Sequence, residues 1–515
     1  MSGPTTSLLP GGVGSFALGS WAGTDPMDLT GAECGIFEVW GPFSEGGMSR
    51  VWLARHRELS APVILKTLLD SADPDASFTR LRDEARLMAR IPNPRVVRPV
   101  DVGWTQAGGS APVPYLAQEY VDGLDLAELD RRRRVALGRG LPLWYVCHAI
   151  SEIASALHSA HQTGVLHRDV KPSNIFESPQ TGIRLGDFGI ARARRYATGA
   201  TGGTLRFVSP EALRGETPTR QGDVYSLGAT AYDLFYGAPP FTELAEILAA
   251  TPVRFPPARS PQEAFFQHVL ARMLERSPER RFASVATPLR QLGALARDVR
   301  PPPPPVVWLR EGAFQVGPVR IQCVLGDIAD ASADGIVNSA TDEMTMRTGV
   351  SGALRRKGGQ EIETEVLRGG RRALGECVAT RGGALACRHV LHAVSAWKEA
   401  SCIARASQRA LLLAEELGLR TLAIPALGTG RAQVSPEASA YAIGAALHEH
   451  LFLGGSKLRE VTFVLYDRET LDIFLEQLGG LLLGDADSHE EALSARHGPP
   501  RPDALDETVY LAGRR

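Results

Sequence analysis

This 515-residue sequence predicts two folded units of different class, an α+β unit followed by an α/β unit. Three observations carry the prediction. Strand-like runs come first and helical periodicity takes over later, as far as Arg297. Five consecutive prolines, Pro301 to Pro305, then interrupt every regular pattern. Beyond them, short strands alternate with helical stretches, as in a sheet covered by helices.

The length exceeds what one ordinary core organises, and a polyproline run extends about 3.1 Å per residue as a semi-rigid spacer. The expected division is a disordered leader over 1–35, a first domain over 36–297, a proline-rich linker over 298–313, a second domain over 314–482 and a disordered tail over 483–515. A formal net charge of −2 gives no bulk attraction for nucleic acid or acidic lipid, so neither is an expected partner. The six cysteines, Cys34, Cys147, Cys323, Cys377, Cys387 and Cys402, form no CxxC pair, which fits a reducing cytoplasm. The sequence shows no secretory start and no apolar run near the roughly 20 residues of a membrane helix.

In the first unit, Phe37 to Trp40, Arg50 to Ala54 and Val63 to Lys66 read as strands, and Phe78 to Arg90 carries apolar residues at helical spacing. From about Leu143 the pattern is mostly helical. In the second unit the strands are Val319 to Val324, Gly335 to Asn338, His389 to Ala393, Thr421 to Pro425 and Glu460 to Tyr466. Ser407 to Leu417 and Pro436 to His450 read as helices.

Phosphoryl transfer needs phosphates clamped, a metal held and an attacking hydroxyl positioned, and three separated motifs supply those parts. Ser44-Glu45-Gly46-Gly47-Met48-Ser49-Arg50-Val51, between two strands, suits a backbone that closes over a nucleotide, with Val51 and Ala54 as an apolar ceiling. Alone, such a hairpin is equally a plain turn. Lys66 ends an inward-facing strand and Glu84 follows on a helix. Contact with the α- and β-phosphates together with a salt bridge to Glu84 accounts for that lysine, as would an edge position. His167-Arg168-Asp169-Val170-Lys171-Pro172-Ser173-Asn174 and then Asp187-Phe188-Gly189 are more specific. Asp169 suits the acceptance of a hydroxyl proton, Lys171 the neutralisation of a moving phosphoryl group, and Asn174 with Asp187 the holding of magnesium.

With these motifs in this order, residues 37 to 297 resemble the protein kinase superfamily, in particular bacterial kinases of the eukaryotic type. The resemblance implies a bilobal α+β fold, ATP with Mg2+ (or Mn2+), and protein substrates phosphorylated on Ser or Thr. It implies nucleotide contacts at Phe43, Ser44, Gly46, Gly47, Val51, Ala54, Lys66, at the backbone from Glu119 to Val121, and at Asp125, with Gln118 at the back of the pocket. It also implies an activation segment ending at Ser209-Pro210-Glu211, an anchoring ion pair between Glu211 and Arg281, and a structural Asp223. Arg168 beside Asp169 points to control by phosphorylation, with Thr198 and Thr201 as acceptors, while Thr204 faces Asp169. Ser44 and Ser49 depart from the glycines usual in the phosphate loop. The basic run Arg131 to Arg134 reads as a solvated face or as a docking patch for acidic substrates.

In the second unit, Gly326-Asp327-Ile328 follows a strand, and Ile336-Val337-Asn338-Ser339-Ala340-Thr341 forms another. Gly349-Val350-Ser351-Gly352-Ala353-Leu354 opens a helix, and Ile424-Pro425-Ala426-Leu427-Gly428-Thr429-Gly430 ends a third strand. Glycine loops at the carboxyl ends of parallel strands can grip a diphosphate through backbone N–H groups. Together these residues, over 314 to 480, resemble the macro domain, a three-layer α/β/α fold that binds ADP-ribose. The resemblance places Asp327 and Ile328 at the adenine, Asn338 near the distal ribose, and Gly349, Val350, Ser351, Gly352, Gly428, Thr429, Gly430 and Arg431 around the pyrophosphate. Hydrolysing members of the best-known branch carry an asparagine and an aspartate where this chain has Thr341 and Ser351, which favours a reader over a hydrolase. His392 reads as a structural histidine. The expected activity is that of a non-specific serine/threonine protein kinase with ADP-ribose, or an ADP-ribosylated protein, bound by the second domain. The alternatives are an ADP-ribosyl hydrolase under kinase control and a nucleotide-binding scaffold with an inert kinase fold.

Overall fold

The computed structural model describes residues 29–45, 49–68, 73–106, 112–188, 204–249, 251–309, 312–397, 400–430 and 432–483. The first unit opens with a six-stranded antiparallel sheet in the order Glu33–Cys34, Phe37–Glu45, Ser49–His56, Pro62–Leu68, Pro112–Glu119, Pro99–Gln106. Its one long helix, Pro74–Ala89, begins where the Asp73 side chain accepts the Ala76 N–H and Pro74 presets the first turn. That helix buries Ser77, Leu81, Glu84, Ala85 and Met88, residues three or four apart on one face, against the sheet. Burying Glu84 on this apolar stripe makes sense only if a cation meets it there.

The second lobe is helical. Leu143–Gln162 is buried on nearly every side because Arg220–Tyr236 and Ala286–Val299 pack around it. A small sheet of Leu124–Asp125, Ile175–Ser178 and Gly182–Leu185 lies where the two lobes meet.

The second unit is an eight-stranded sheet in the order Val306–Leu309, Ala313–Val316, Val319–Leu325, Glu460–Leu465, Thr421–Ile424, Gly335–Ala340, His389–Val394, Cys377–Arg381. Its five central strands, Val319–Leu325 to His389–Val394, pair in parallel, so their carboxyl ends share one edge. Helices such as Ile403–Glu416, Pro436–Phe452 and Arg468–Leu483 bury the core. Among the described residues, no helix is long and apolar enough to cross a membrane.

The structure corrects two boundaries. Leu29 and Cys34 are buried, and Glu33–Cys34 is an edge strand, so the end of the expected leader belongs to the first core. Val306–Leu309 pairs with Ala313–Val316 as the outermost strand of the second sheet, which shortens the linker to the residues between Val299 and Val306. The prolines stop the preceding helix but leave Val306, Val307 and Trp308 free to pair.

The two units share an extensive interface. Asp122, in the connector between the lobes, accepts the backbone N–H groups of Ala404 (2.9 Å) and Arg405 (3.0 Å) at the start of the helix Ile403–Glu416. Arg405 donates to the Gly123 carbonyl (2.6 Å), Gln408 Oε1 accepts the Leu124 N–H (3.1 Å), and Arg409 pairs with Glu128 through two bonds of 2.9 Å. Within the Arg131 to Arg134 run, Arg131 is exposed but Arg133 is not solvated. Arg133 is buried and donates to the carbonyls of Leu453 (3.2 Å) and Gly454 (3.0 Å), the end of the helix Pro436–Phe452, and Arg134 is held by Asp130 (2.6 Å). A cation at a helix carboxyl terminus is favoured by the helix dipole.

Glu177 of the first unit and Glu449 of the second meet inside this interface beside Gln408, Tyr145 and Arg133. Burial raises both carboxyl groups, so the pair holds a proton between them. A carboxyl raised in the folded state stabilises fully below the ordinary glutamate value of about 4.3, and that stabilisation is lost as pH rises through the raised value. Glu177→Gln keeps the hydrogen bonds without the titrating proton. We predict by calorimetry that, as pH rises above about 4.3, the melting temperature of the wild type falls more steeply than that of Glu177→Gln. Parallel pH profiles would contradict this.

Candidate functional site

The lobe junction brings together residues far apart in sequence. Lys66 Nζ lies 2.9 Å from Glu84 Oε1 and 3.4 Å from Asp187 Oδ1. Burial alone would lower the pKa of this ammonium, but the two carboxylates outweigh it and hold the group above its ordinary range, fully charged. Strand alternation decides what shares this face. Antiparallel partners point the same way, so Val51 (opposite Lys66), Leu53 (opposite Ile64), Leu116 and Gln118 line the lysine side. Ala54 does not. It is three positions after Val51, on the opposite face, buried with Phe37, Val39, Trp52 and Val63, and Ile64 takes the ceiling position expected of it.

Across the junction, Asn174 Nδ2 donates to the Asp169 carbonyl (2.7 Å) and to Asp169 Oδ2 (2.9 Å), and Lys171 Nζ is 3.1 Å from Asp169 Oδ2. This loop is held from beneath by Asp223, which accepts the N–H groups of His167 (3.0 Å) and Arg168 (2.8 Å) and lies 2.7 Å from His161 Nε2. Burial would raise the Asp223 carboxyl, but these partners, His161 foremost, hold it below the usual range. Arg168 adopts φ +68°, a left-handed conformation costly for a side chain with a Cβ and sustained here by the Asp223 bonds. Asp187 is also left-handed, at φ +53°.

A divalent metal at Asn174 and Asp187 fits this donor set. Asn174 uses its amide nitrogen on Asp169, which leaves the carbonyl oxygen as its ligand atom beside the Asp187 carboxylate. One carboxylate and one amide oxygen, completed by phosphate oxygens and water, suit Mg2+ or Mn2+. Among the described residues, no group of three or more His, Cys, Asp or Glu side chains forms a metal site of its own. Asp125 caps the helix Leu126–Leu137 by accepting the Glu128 N–H at 2.9 Å, and Val121 accepts from Gly123 in the turn after Glu119. Gly46, Gly47, Thr198, Thr201 and Arg431, and the side chain of Ser44, lie outside the described residues.

Glu211 and Arg281 form a buried bidentate pair at 2.6 and 2.8 Å, and Arg281 also donates to the carbonyls of Glu275, Arg276 and Gln221.

In the second unit, Asp327, the helix start at Gly349 and the loop from Gly428 gather at the carboxyl ends of the parallel strands. One Asp327 oxygen accepts the Ala329 N–H (2.9 Å), folding the turn that buries Ile328, and Lys357 pairs with Asp330 to tie that turn to the helix Gly349–Gly358. Thr348 makes no side-chain cap there, so no cap from that residue takes the first N–H groups of that helix. Gly352 is required, since a Cβ would sit 2.9 Å from the Arg347 carbonyl. Gly428 has φ +76° and packs against Ile403, and Thr429 bonds the Ala426 carbonyl (3.3 Å).

Asn338 is committed inward. Its carbonyl oxygen accepts from Ser351 Oγ (2.9 Å), its amide nitrogen meets His392 Nδ1 (3.0 Å), and His392 Nε2 meets Thr380 Oγ1 (2.9 Å). Burial lowers the His392 pKa to about 4, so a neutral ring joins this chain. These bonds give Asn338, expected near the distal ribose, a supporting role for the Ser351 loop. Tyr466 went unnoticed in the sequence beyond its place at a strand end. It is 87 % exposed immediately after Leu465, beside Gly326 and the 57 % exposed Leu325. An aromatic ring left in water at the carboxyl edge of a parallel sheet was the signal that could have found it.

A family profile described as "Protein kinase domain" matches residues 37–291, and one described as "Macro domain" matches residues 337–443. Serine/threonine-protein kinase PknB of Mycobacterium leprae (strain TN) is 34 % identical over 253 residues, covering 47 % of this chain and 40 % of that protein. PknB of Mycobacterium tuberculosis (strain ATCC 25618 / H37Rv) is 35 % identical over 254 residues with the same coverage. Serine/threonine-protein kinase PknA of Mycobacterium tuberculosis (strain ATCC 25177 / H37Ra) is 33 % identical over 269 residues, covering 50 % of this chain and 61 % of that protein. The chain thus spans about two fifths of the PknB relatives. The solved PknI kinase domain of Mycobacterium tuberculosis aligns at a TM-score of 0.41 with 28 % identity, covering 52 % of this chain and 98 % of that one. The two profiles fall on the two units described above, so the chain carries a protein kinase domain joined to a macro domain.

Removing one member of a buried ion pair strands the other charge, at a cost of about 3–5 kcal/mol. Glu211→Ala should lower the unfolding free energy of the kinase domain by about that amount, read as a lower urea midpoint. An unchanged midpoint would mean that Arg281 finds another partner.

Proposed function

We propose that this protein, a kinase domain fused to a macro domain, is an ATP-dependent serine/threonine protein kinase whose macro domain binds ADP-ribose or an ADP-ribosylated partner. The observation that carries the reading is the assembled set of Lys66, Glu84 and Asp187 facing Asp169, Lys171 and Asn174. Lys66 holds the α- and β-phosphates, with Glu84 fixing its position. Asp169 orients the substrate hydroxyl and takes its proton, and Lys171 offsets charge on the transferring phosphoryl group. Magnesium at Asn174 and Asp187 neutralises phosphate charge when bound. Phosphorylation of Thr198 or Thr201 is proposed to pair with Arg168 and order the activation segment. Among the described residues no disulfide is formed, which supports work in a reducing compartment such as the cytoplasm.

In the macro domain, the Gly349 and Gly428 loops grip the diphosphate, Asp327 receives the adenine amino group, and the Tyr466 ring is the stacking surface for the base. Ser351 spends its hydroxyl on Asn338, and neither it nor Thr341 can serve as a carboxylate base, which supports binding without hydrolysis.

Labelled ATP with magnesium and casein tests the first half. Wild-type protein should transfer phosphate to serine and threonine, and Asp169→Asn should do so at least about 100-fold more slowly. Equal rates, or none from either, would contradict the kinase reading. Calorimetric titration with ADP-ribose tests the second. Tyr466→Ala should weaken binding by about 1–3 kcal/mol, the usual worth of a base stacked on an aromatic ring. Unchanged affinity would remove Tyr466 from the site, and release of free ADP-ribose from a modified protein would favour the hydrolase alternative.

A further inference from the structure

A bilobed fold that encloses a nucleotide at the lobe junction must part its lobes about the connector to exchange it. The macro domain takes hold of both sides of that motion. On the strand lobe, Trp40 Nε1 donates to Asp342 Oδ2 (3.1 Å), Arg371 bonds the same carboxylate and lies over the indole ring (5.4 Å), and the Arg405 guanidinium stacks on Phe43 (5.0 Å). Trp40 and Leu53 share one apolar cluster with Ile328, Met344 and Cys402 of the macro domain, and Phe43 and Ile64 pack against it. On the connector and the helical lobe, the same Arg405 donates to the Gly123 carbonyl, Asp122 receives its N–H, and Arg409 and Gln408 hold Glu128 and Glu177. Lys457 Nζ adds a bond to the Ala136 carbonyl (2.7 Å).

We propose that the macro domain is a strap across the two kinase lobes that restrains their opening and so slows adenine nucleotide exchange. Arg405 is its pivot, because one side chain touches the strand that leads into the phosphate loop and the connector about which the lobes turn. The catalytic Lys66–Glu84 pair is intact under the strap, so the restraint acts on the traffic of nucleotide and not on the assembly of the site. This inference rests on the reading of the lobe junction as an ATP site.

Stopped-flow dissociation of a fluorescent ADP analogue from the full-length protein, chased with excess ATP, tests it. Arg405→Ala removes the Phe43 and Gly123 contacts and should speed dissociation about 10-fold or more, from the usual worth of a charged hydrogen bond and a cation–π contact. Trp40→Phe removes only the indole bond from the strand lobe to Asp342 of the macro domain and should speed it about threefold. This milder change keeps the test meaningful if Arg405→Ala folds poorly. Arg468→Ala, at an exposed pair with Asp472, should leave the rate unchanged. Rates within about twofold of wild type for both Arg405→Ala and Trp40→Phe, in proteins that still bind the analogue, would overturn the strap. A wild type that binds no analogue would overturn the ATP-site reading, and the strap with it.

Discussion

One carboxylate, Asp122, ties the molecule together. It sits in the connector between the kinase lobes and accepts the first two free N–H groups of a helix that belongs to the other domain. That helix, Ile403–Glu416, has Cys402 at its cap position, and the residue makes no side-chain cap of its own. An amino-terminal turn without a cap leaves several N–H groups unsatisfied, and burying them dry is costly. Burial pushes the Asp122 carboxyl up to about 6, so its charge also comes at a cost, which the two N–H bonds and nearby Arg405 reduce without removing. Two expensive groups, one from each domain, are therefore satisfied only by each other. Docking is written into the capping chemistry of the macro domain's central helix.

The catalytic machinery rests on a comparable economy. Asp223 is buried and touches no substrate, yet it holds the backbone of His167 and Arg168 in a conformation the chain would otherwise avoid. Glu84 is buried on a helix face beside Leu81, Ala85 and Met88, and the Lys66 charge is what makes it tolerable there. In each case a buried charge is paired with a group whose position matters for chemistry. The macro domain does the same with neutral groups, where Ser351, Asn338, His392 and Thr380 form a chain that fixes the floor under the glycine loop.

Much of this was legible in the sequence, because the motif residues act through short, chemically demanding contacts. Lys66 with Glu84 and Glu211 with Arg281 are the pairs those motifs imply. Ala54 was misplaced although the two-residue period of a strand, counted from Val51 or back from Lys66, would have put it on the wrong face and suggested Ile64. The bonds of Asn338 could not be read from the sequence, because they involve His392, fifty-four positions away and reached only through sheet pairing. Arg133 and Val306 were hidden for a related reason. A basic run and a strand flanked by prolines look solvated until a second domain supplies carbonyls for the one and an open sheet edge for the other. Interfaces between domains leave little periodic trace, since each side contributes single residues from turns and helix ends.

The account stands or falls on whether the two domains are docked through the Asp122 cap in solution. Amide hydrogen exchange at Ala404 and Arg405 in the intact protein measures this directly, because their N–H groups have this carboxylate as their acceptor. The account predicts slow exchange at both amides in the wild type and marked acceleration in Asp122→Ala, with Gly123 and Leu124 accelerating alongside them. Exchange at Ala404 and Arg405 as fast as in an exposed loop, and unaltered by removal of Asp122, would contradict it.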